Sequence, residues 1–248
     1  MGPEIQGRLL EGMVSLVTGA SRGIGRAIAQ DLARFGAQPI LTARSLDGLR
    51  QTASAIKAQT DCDPLVLQAD LTDEVAIKAL VARISQVYGR LDVLINNAGV
   101  TFSGPIERTP TSQWDMCMAI NARAAFILCR ESLPLLRKGK GRRIVNISSV
   151  VGIKGYARQT AYTASKHALR GLSIALAQEL APEGIIVHVI CPGGVDTDLV
   201  RQVRPDIPQD ELIRPEEVSR AVMWLLSSDG RGVVDEIRIR RRTSSPWF

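Results

Sequence analysis

The sequence predicts a single α/β domain, a doubly wound seven-stranded parallel sheet with helices on both faces. Three observations predict it. Short apolar runs alternate with longer amphipathic segments along nearly the whole chain. The short runs are apolar at almost every position, the pattern of strands covered on both faces. The chain also has 248 residues, 45% of them hydrophobic and 23% charged, and shows no linker, internal repeat or low-complexity tract that divides it. Residues 1–248 therefore read as one domain able to bury a sizeable core.

The elements follow in order. Met13–Thr18 reads as a strand and Gly23–Phe35 as the helix after it. Pro39–Ala43 and Leu46–Ala58 form the next strand–helix unit, then Leu65–Ala69 and Glu74–Tyr88. Leu91–Ile95 is the fourth strand, and a long helix from about Thr111 to Leu136 follows, with a bend expected near Pro134. Arg143–Ser148 precedes a helix at Ala161–Leu180, and Ile185–Cys191 precedes one at Pro215–Ser227. Val233–Ile239 is the last strand. Two stretches read as irregular, Gly99–Pro110 and Gly193–Arg214, the second containing Pro205 and Pro208. Both follow strands, on the side where ligands of such sheets sit.

Composition narrows the function classes. The excess of 31 basic over 25 acidic residues leaves a net charge of +6, which suits a phosphorylated or carboxylated ligand and does not call for nucleic acid. Aromatics are only 4%, too few for base-stacking platforms. Cys62, Cys117, Cys129 and Cys191 have no framework spacing and read as free thiols in a reducing compartment. His167 and His188 are the only histidines, which excludes a His-rich metal site, and no metal is expected. No apolar run is long enough for a membrane helix, and the N-terminus lacks the pattern of a secretory signal. The expectation is a cytoplasmic or organelle-matrix protein, not a secreted one.

The first strand runs directly into Thr18-Gly19-Ala20-Ser21-Arg22-Gly23-Ile24-Gly25, and a helix begins there. Glycines let the backbone turn sharply and approach a diphosphate, and the helix start offers free N–H groups and a positive dipole end. This is a nucleotide site. At the end of the second strand, where NAD-preferring sites place a carboxylate, the chain has Ala43 followed by Arg44. With Arg22 and Ser21 nearby, this favours a 2′-phosphate and therefore NADP(H). Asp70, at the end of the third strand, can accept from an adenine amino group or simply cap the next segment.

Asn96-Asn97-Ala98-Gly99 closes the fourth strand, Ser149 lies just beyond the fifth, and Tyr162 and Lys166 stand four apart on one helical face. An adjacent ammonium favours a phenolate and lowers a tyrosine pKa from its ordinary value near ~10. At this point the chain resembles the short-chain dehydrogenases/reductases. TGASRGIG at 18–25, NNAG at 96–99, Asn121, Ser149, Tyr162-Thr-Ala-Ser-Lys166 and Pro192-Gly193 stand in that family's order over about residues 12–200.

The resemblance implies a Rossmann-type domain, a nicotinamide cofactor and a catalytic set of Asn121, Ser149, Tyr162 and Lys166. Tyr162 is then the proton donor in reduction, Ser149 bonds the carbonyl oxygen, and Lys166 holds the nicotinamide ribose. Asn121 kinks the long helix and anchors a proton-relay water. Asn97, Ala98 and Gly99 line the adenosine ribose, Leu71 joins Asp70 on the adenine side, and Pro192, Gly193, Val195 and Thr197 pass under the nicotinamide. Ser148 is a rival for Ser149 with a less fitting spacing to Tyr162.

Within the family the pattern is most similar to 3-oxoacyl-(acyl-carrier-protein) reductases. That implies an NADPH-dependent ketone reductase, a small or carrier-tethered carbonyl substrate, and a homodimer or homotetramer. The runner-up readings are an NAD-dependent alcohol dehydrogenase and a non-catalytic dinucleotide sensor. The basic run Arg137-Lys138-Gly139-Lys140-Gly141-Arg142-Arg143 is a candidate face for an acidic carrier, although Glu183 stands where such reductases tend to have a basic residue. The chain also departs from the family at its end. The usual Asp-Gly-Gly turn is replaced by a basic tail at 240–248, ending in Trp247-Phe248, which reads as a subunit-packing or substrate-rim element. The stretch between Asp198 and Pro215 is short, which implies an open site.

Overall fold

The computed structural model describes residues 9–228 and 230–246. Its seven strands are β1 (Val14–Thr18), β2 (Gln38–Ala43), β3 (Leu65–Gln68), β4 (Val93–Asn96), β5 (Arg143–Ile147), β6 (Ile186–Pro192) and β7 (Glu236–Ile239). They lie in one sheet in the order β3-β2-β1-β4-β5-β6-β7. Every pairing is parallel, with Leu16 against both Ile40 and Leu94 at the centre.

The helices are α1 (Gly23–Arg34), α2 (Leu46–Lys57), α3 (Glu74–Tyr88), α4 (Thr111–Met118), α5 (Ala124–Leu136), α6 (Thr160–Leu180), α7 (Asp198–Val203) and α8 (Pro215–Ser227). Local chemistry sets their ends. Ser45 accepts from Gly48 N at 3.2 Å to start α2, and Asp73 accepts from Val75 N at 2.8 Å to start α3. Gly89, at φ +67°, ends α3 in the left-handed conformation. Pro215 opens α8, where Glu217 reaches back to Arg214 N at 2.8 Å.

Strand alternation divides the core into two layers. Val17, Leu41, Val93, Ile95 and Val145 face α1, α2 and α8, meeting Ile28, Leu32, Leu49 and Val222. Leu16, Ile40, Leu94 and Ile144 face α3, α5 and α6, meeting Ile77, Ile84, Ile127 and Leu180. Both faces are covered, which is why the strands read as continuous apolar runs.

The structure differs from the sequence reading at some strand ends, at a 3₁₀ turn over Ile106–Arg108 in the first irregular stretch, and at the following places. The expected helix over 111–136 is interrupted by a π-helical turn at Ala119–Arg123, while Pro134 is accommodated inside α5. β4 begins at Val93, because Leu91 N bonds Leu135 O at 3.1 Å and the Asp92 carboxylate accepts from Val14 N at 2.8 Å. β7 begins at Glu236, not Val233, and Val234 gives its carbonyl to His188 Nδ1 at 2.7 Å. Gly193–Arg214 is not irregular throughout: it holds α7, a 3₁₀ turn at Gln209–Glu211 and a parallel bridge from Val195 to Ile213.

Candidate active site

A cleft of about 620 Å³ lies across the carboxyl ends of the central strands. Its floor is the loop from β1 into α1. Gly19 turns at φ +65°, and a Cβ there would stand 2.9 Å from Asn97 Nδ2. A Cβ on Gly25 would run into the Gly19 carbonyl. The loop is thus a backbone cradle that side chains would fill. Thr18 Oγ1 donates to Ile95 O at 3.2 Å and accepts from the backbone N–H of Asn97 and Ala98 at 2.9 and 3.0 Å. Asn97 Nδ2 donates back to Thr18 O at 2.9 Å. The ends of β1 and β4 are therefore tied together beneath the cleft.

One end of the cleft is strongly basic. Arg22, Arg26 and Arg44 all line it, with Ser21, Ser45 and Ala43. Arg22 Nη1 meets Asp198 Oδ2 at 2.9 Å, joining the glycine loop to α7. Arg26 had not been singled out in the sequence. Its Nη2 donates to Ser21 O at 2.6 Å and its Nε to Thr52 Oγ1 at 3.1 Å, so it holds the loop from behind. Ala69 and Leu71 line the cleft next to this end. Asp70 does not; its Oδ1 accepts from Thr72 N and Oγ1, both at 2.9 Å, and the Thr72 bonds hold its carboxyl below the ordinary range. This bond set is the one expected of an Asp that fixes the turn before α3, and it leaves Oδ2 open to solvent.

The rest of the cleft wall is made by Asn97, Ala98, Gly99, Ser149, Tyr162, Lys166, Pro192, Gly193, Val195 and Thr197, of which Asn97 and Thr197 stand against Gly19 and Gly23 of the glycine loop. Tyr162 is in the first turn of α6, and Lys166 one turn later is 3% exposed. Lys166 Nζ donates to Ile147 O at 2.8 Å and stands 5.9 Å from the centre of the Tyr162 ring. Burial pushes the Lys166 ammonium down to about 8. Burial also pushes the Tyr162 phenol up to about 12, while the Ser149 hydroxyl bonded to it pulls the other way. The lowering of the tyrosine expected from Lys166 is not present in this state, because the ammonium is turned to a backbone carbonyl. Ser149 Oγ also accepts from Val151 N at 3.3 Å. Ser148 gives its hydroxyl to Lys166 O at 3.1 Å, which leaves Ser149 as the serine facing Tyr162.

Asn121 sits in the π-helical turn, 1% exposed and behind the wall. Its Oδ1 accepts from Val100 N at 2.8 Å, and its Nδ2 donates to Val100 O and Ser165 Oγ, both at 2.9 Å. It links the loop after β4 to α6. Cys117 is buried nearby, its thiol raised to about 11 by burial.

The remaining sequence features lie elsewhere. His167 is exposed, with Nδ1 3.0 Å from Thr163 O, and His188 is packed in β6. Among the described residues no group of His, Cys, Asp or Glu is arranged to hold a metal. No helix among them is long and apolar enough to cross a membrane. The basic run precedes β5, at the opposite end of the strands from the cleft, and Arg137 pairs there with Glu183 at 2.6 and 2.9 Å. Its place does not fit delivery of a substrate into the cleft. Arg240, Arg241 and Ser244 border a smaller cavity beside Ser149 and Tyr162. Trp247 and Phe248 lie outside the described residues.

The family model for short chain dehydrogenase matches residues 13–208. The 3-oxoacyl-[acyl-carrier-protein] reductase FabG of Escherichia coli is 36% identical over 91% of this chain and 94% of its own length. An oxidoreductase of Bacillus subtilis, YxjF, is 35% identical over 90% of this chain and 94% of its own length. A short chain dehydrogenase of Shigella flexneri 2a, solved with NADP, superposes at a TM-score of 0.88 with 34% identity, covering 95% of this chain and 99% of that one. A metagenomic short-chain oxidoreductase in complex with NADP gives 0.81 and 34%, covering 94% and 99%. With the sheet, the glycine cradle and this match over most of its length, the chain belongs to the short-chain dehydrogenases.

Proposed function

We propose that this protein is an NADPH-dependent carbonyl reductase acting on a ketone such as a 3-oxoacyl thioester. The observation that carries the reading is one cleft with Ser149, Tyr162 and Lys166 on its wall and three arginines at its other end. NADPH, when bound, supplies the hydride. The glycine cradle takes the diphosphate against the start of α1, where backbone N–H groups point outward. Arg22 and Arg44 hold the 2′-phosphate, with Ser21 beside them; Ala43 stands where an NAD site would place an acid. Lys166 would hold the ribose hydroxyls, and Asn97 to Gly99 and Pro192 to Thr197 would line the cofactor on two sides.

Tyr162 gives its proton to the substrate oxygen, and Ser149 donates a hydrogen bond to the same oxygen. A phenol raised to about 12 is fully protonated at neutral pH, which is the form a reductase uses. Asn121 is a positioning residue that holds Val100 and Ser165 around Tyr162.

The test is turnover of an acetoacetyl thioester, a diketone and a cyclic ketone with NADPH and NADH. Tyr162→Phe should lower kcat by ~10²–10⁴-fold with cofactor affinity kept. Near-normal turnover in that variant refutes the mechanism. Ala43→Asp with Arg44→Ala should shift the cofactor ratio toward NADH by about ten- to a hundredfold. An unchanged ratio refutes the 2′-phosphate site.

A further inference from the structure

A cavity of about 100 Å³ adjoins the cleft and shares Ser149, Tyr162 and Gly193 with it. Its wall includes three arginines, Arg204, Arg240 and Arg241, and no Asp or Glu. The three charges are not equivalent. Arg204 is held by both oxygens of Asp206, at 2.8 and 2.7 Å. Arg241 Nη1 is 3.0 Å from Glu211 Oε2, which also accepts from Thr243 Oγ1 at 2.7 Å. Arg240 has no carboxylate within ion-pair distance among the described residues. Its Nη1 instead donates to three backbone carbonyls, Arg241 O at 3.1 Å, Arg242 O at 3.2 Å and Ser244 O at 2.9 Å. Those oxygens fix the guanidinium without cancelling its charge. On the same wall the buried Thr101 Oγ1 has no hydrogen-bond partner.

We propose that this cavity is an anion subsite for the substrate, in which Arg240 receives a carboxylate or phosphate at the end remote from the reacting carbonyl. The proposal rests on the reductase reading and narrows its substrate class. With Nη1 committed to those carbonyls, the Nε and Nη2 edge of the pre-placed guanidinium remains to donate to two oxygens in parallel. The cavity, about 100 Å³ and continuous with the cleft wall, has room for a carboxylate or phosphate group. The arginine belongs to the stretch where the family's Asp-Gly-Gly turn is replaced, so the chain's own departure builds the subsite.

The experiment compares matched pairs with NADPH: a short oxo-carboxylate against its methyl ester, and hydroxyacetone phosphate against hydroxyacetone. Wild type, Arg240→Ala, Arg240→Gln and, as a control outside the cavity wall, Arg242→Ala are assayed. In parallel, the same acids are titrated calorimetrically into protein saturated with NADP⁺. Wild type is expected to favour the anionic member by ten- to a hundredfold in kcat/KM. The Arg240 variants should lose that preference through KM, with kcat and neutral substrates unchanged, and Arg242→Ala should keep it. The pair on which the preference is larger separates carboxylate from phosphate. Equal use of acid and ester by wild type overturns the subsite whether or not the variants fold, and so does equal loss of both in the Arg240 variants. If no carbonyl turns over, the reductase reading falls. Calorimetry then decides the subsite alone: Arg240-dependent anion binding sustains it, and its absence removes it.

Discussion

Lys166 holds an ammonium in a nearly dry place, and a pH signature follows. Its pKa of about 8 lies below the ordinary 10.5, so below pH 8 the folded protein bears the cost of a buried charge. Between about 8 and 10.5 the unfolded chain binds more protons, and stability rises with pH. Tyr162 acts in the opposite sense from 10 to 12, where the folded state keeps the proton longer and stability falls. Lys166→Met should therefore raise the Tm of the cofactor-free protein at pH 7, by a gain of at most roughly 3 kcal/mol, while turnover is lost. Paired melts from pH 7 to 10 check this: the thiols of Cys117, Cys129 and Cys191, raised by burial, lower both proteins alike toward the alkaline end, so the gap by which the variant exceeds wild type at pH 7 should close as the pH rises through 8. A variant less stable than wild type at pH 7 would contradict the burial argument.

The long helix opposite the sheet shows how an element serves the site. Its π-helical turn brings the Asn121 side chain onto both backbone groups of Val100, fixing the loop after β4 against α6. Asn121→Leu strands Val100 N and O and should cost roughly 2–4 kcal/mol, read as a lower urea midpoint with an unchanged slope. A midpoint within experimental scatter of wild type would show that the loop is held by other contacts. This turn was not legible in composition or periodicity, because one extra residue in a turn leaves the apolar stripe almost in place. Asn121 was reached through resemblance alone. Pro134 was the conspicuous letter, yet it sits inside α5. The short helix α7 was hidden by Pro205 and Pro208, although Thr197 before Asp198 is a recognisable helix start. Arg26 carries no sequence signal, because its partners, Ser21 and Thr52, come from two other segments. The strands, the other helices and the Tyr162/Lys166 pair were legible, since each rests on a local period.

At the scale of the molecule, position along the strands decides what a surface charge can do. Lys138 and Lys140 are exposed before β5, and its five residues span ~17 Å to the cleft end. Lys138→Glu with Lys140→Glu should leave kcat/KM for a carrier-tethered substrate within about twofold, since steering acts over roughly a Debye length. A tenfold fall would place a docking carrier at that end. The strand order has a consequence for synthesis. β1 pairs first with β2, β2 with β3, and that side is complete by Gln68. β4 to β7 then join one after another on the other side, so no strand is ever inserted between two already paired. A chain emerging N-terminus first always finds one open edge waiting and leaves one behind it. The two edges that remain, β3 and β7, are four residues each, and β7 carries Glu236 and Arg238. Edges as short as these, one of them charged, are poor templates for a stranger's strand, so the growing sheet ends with little to recruit.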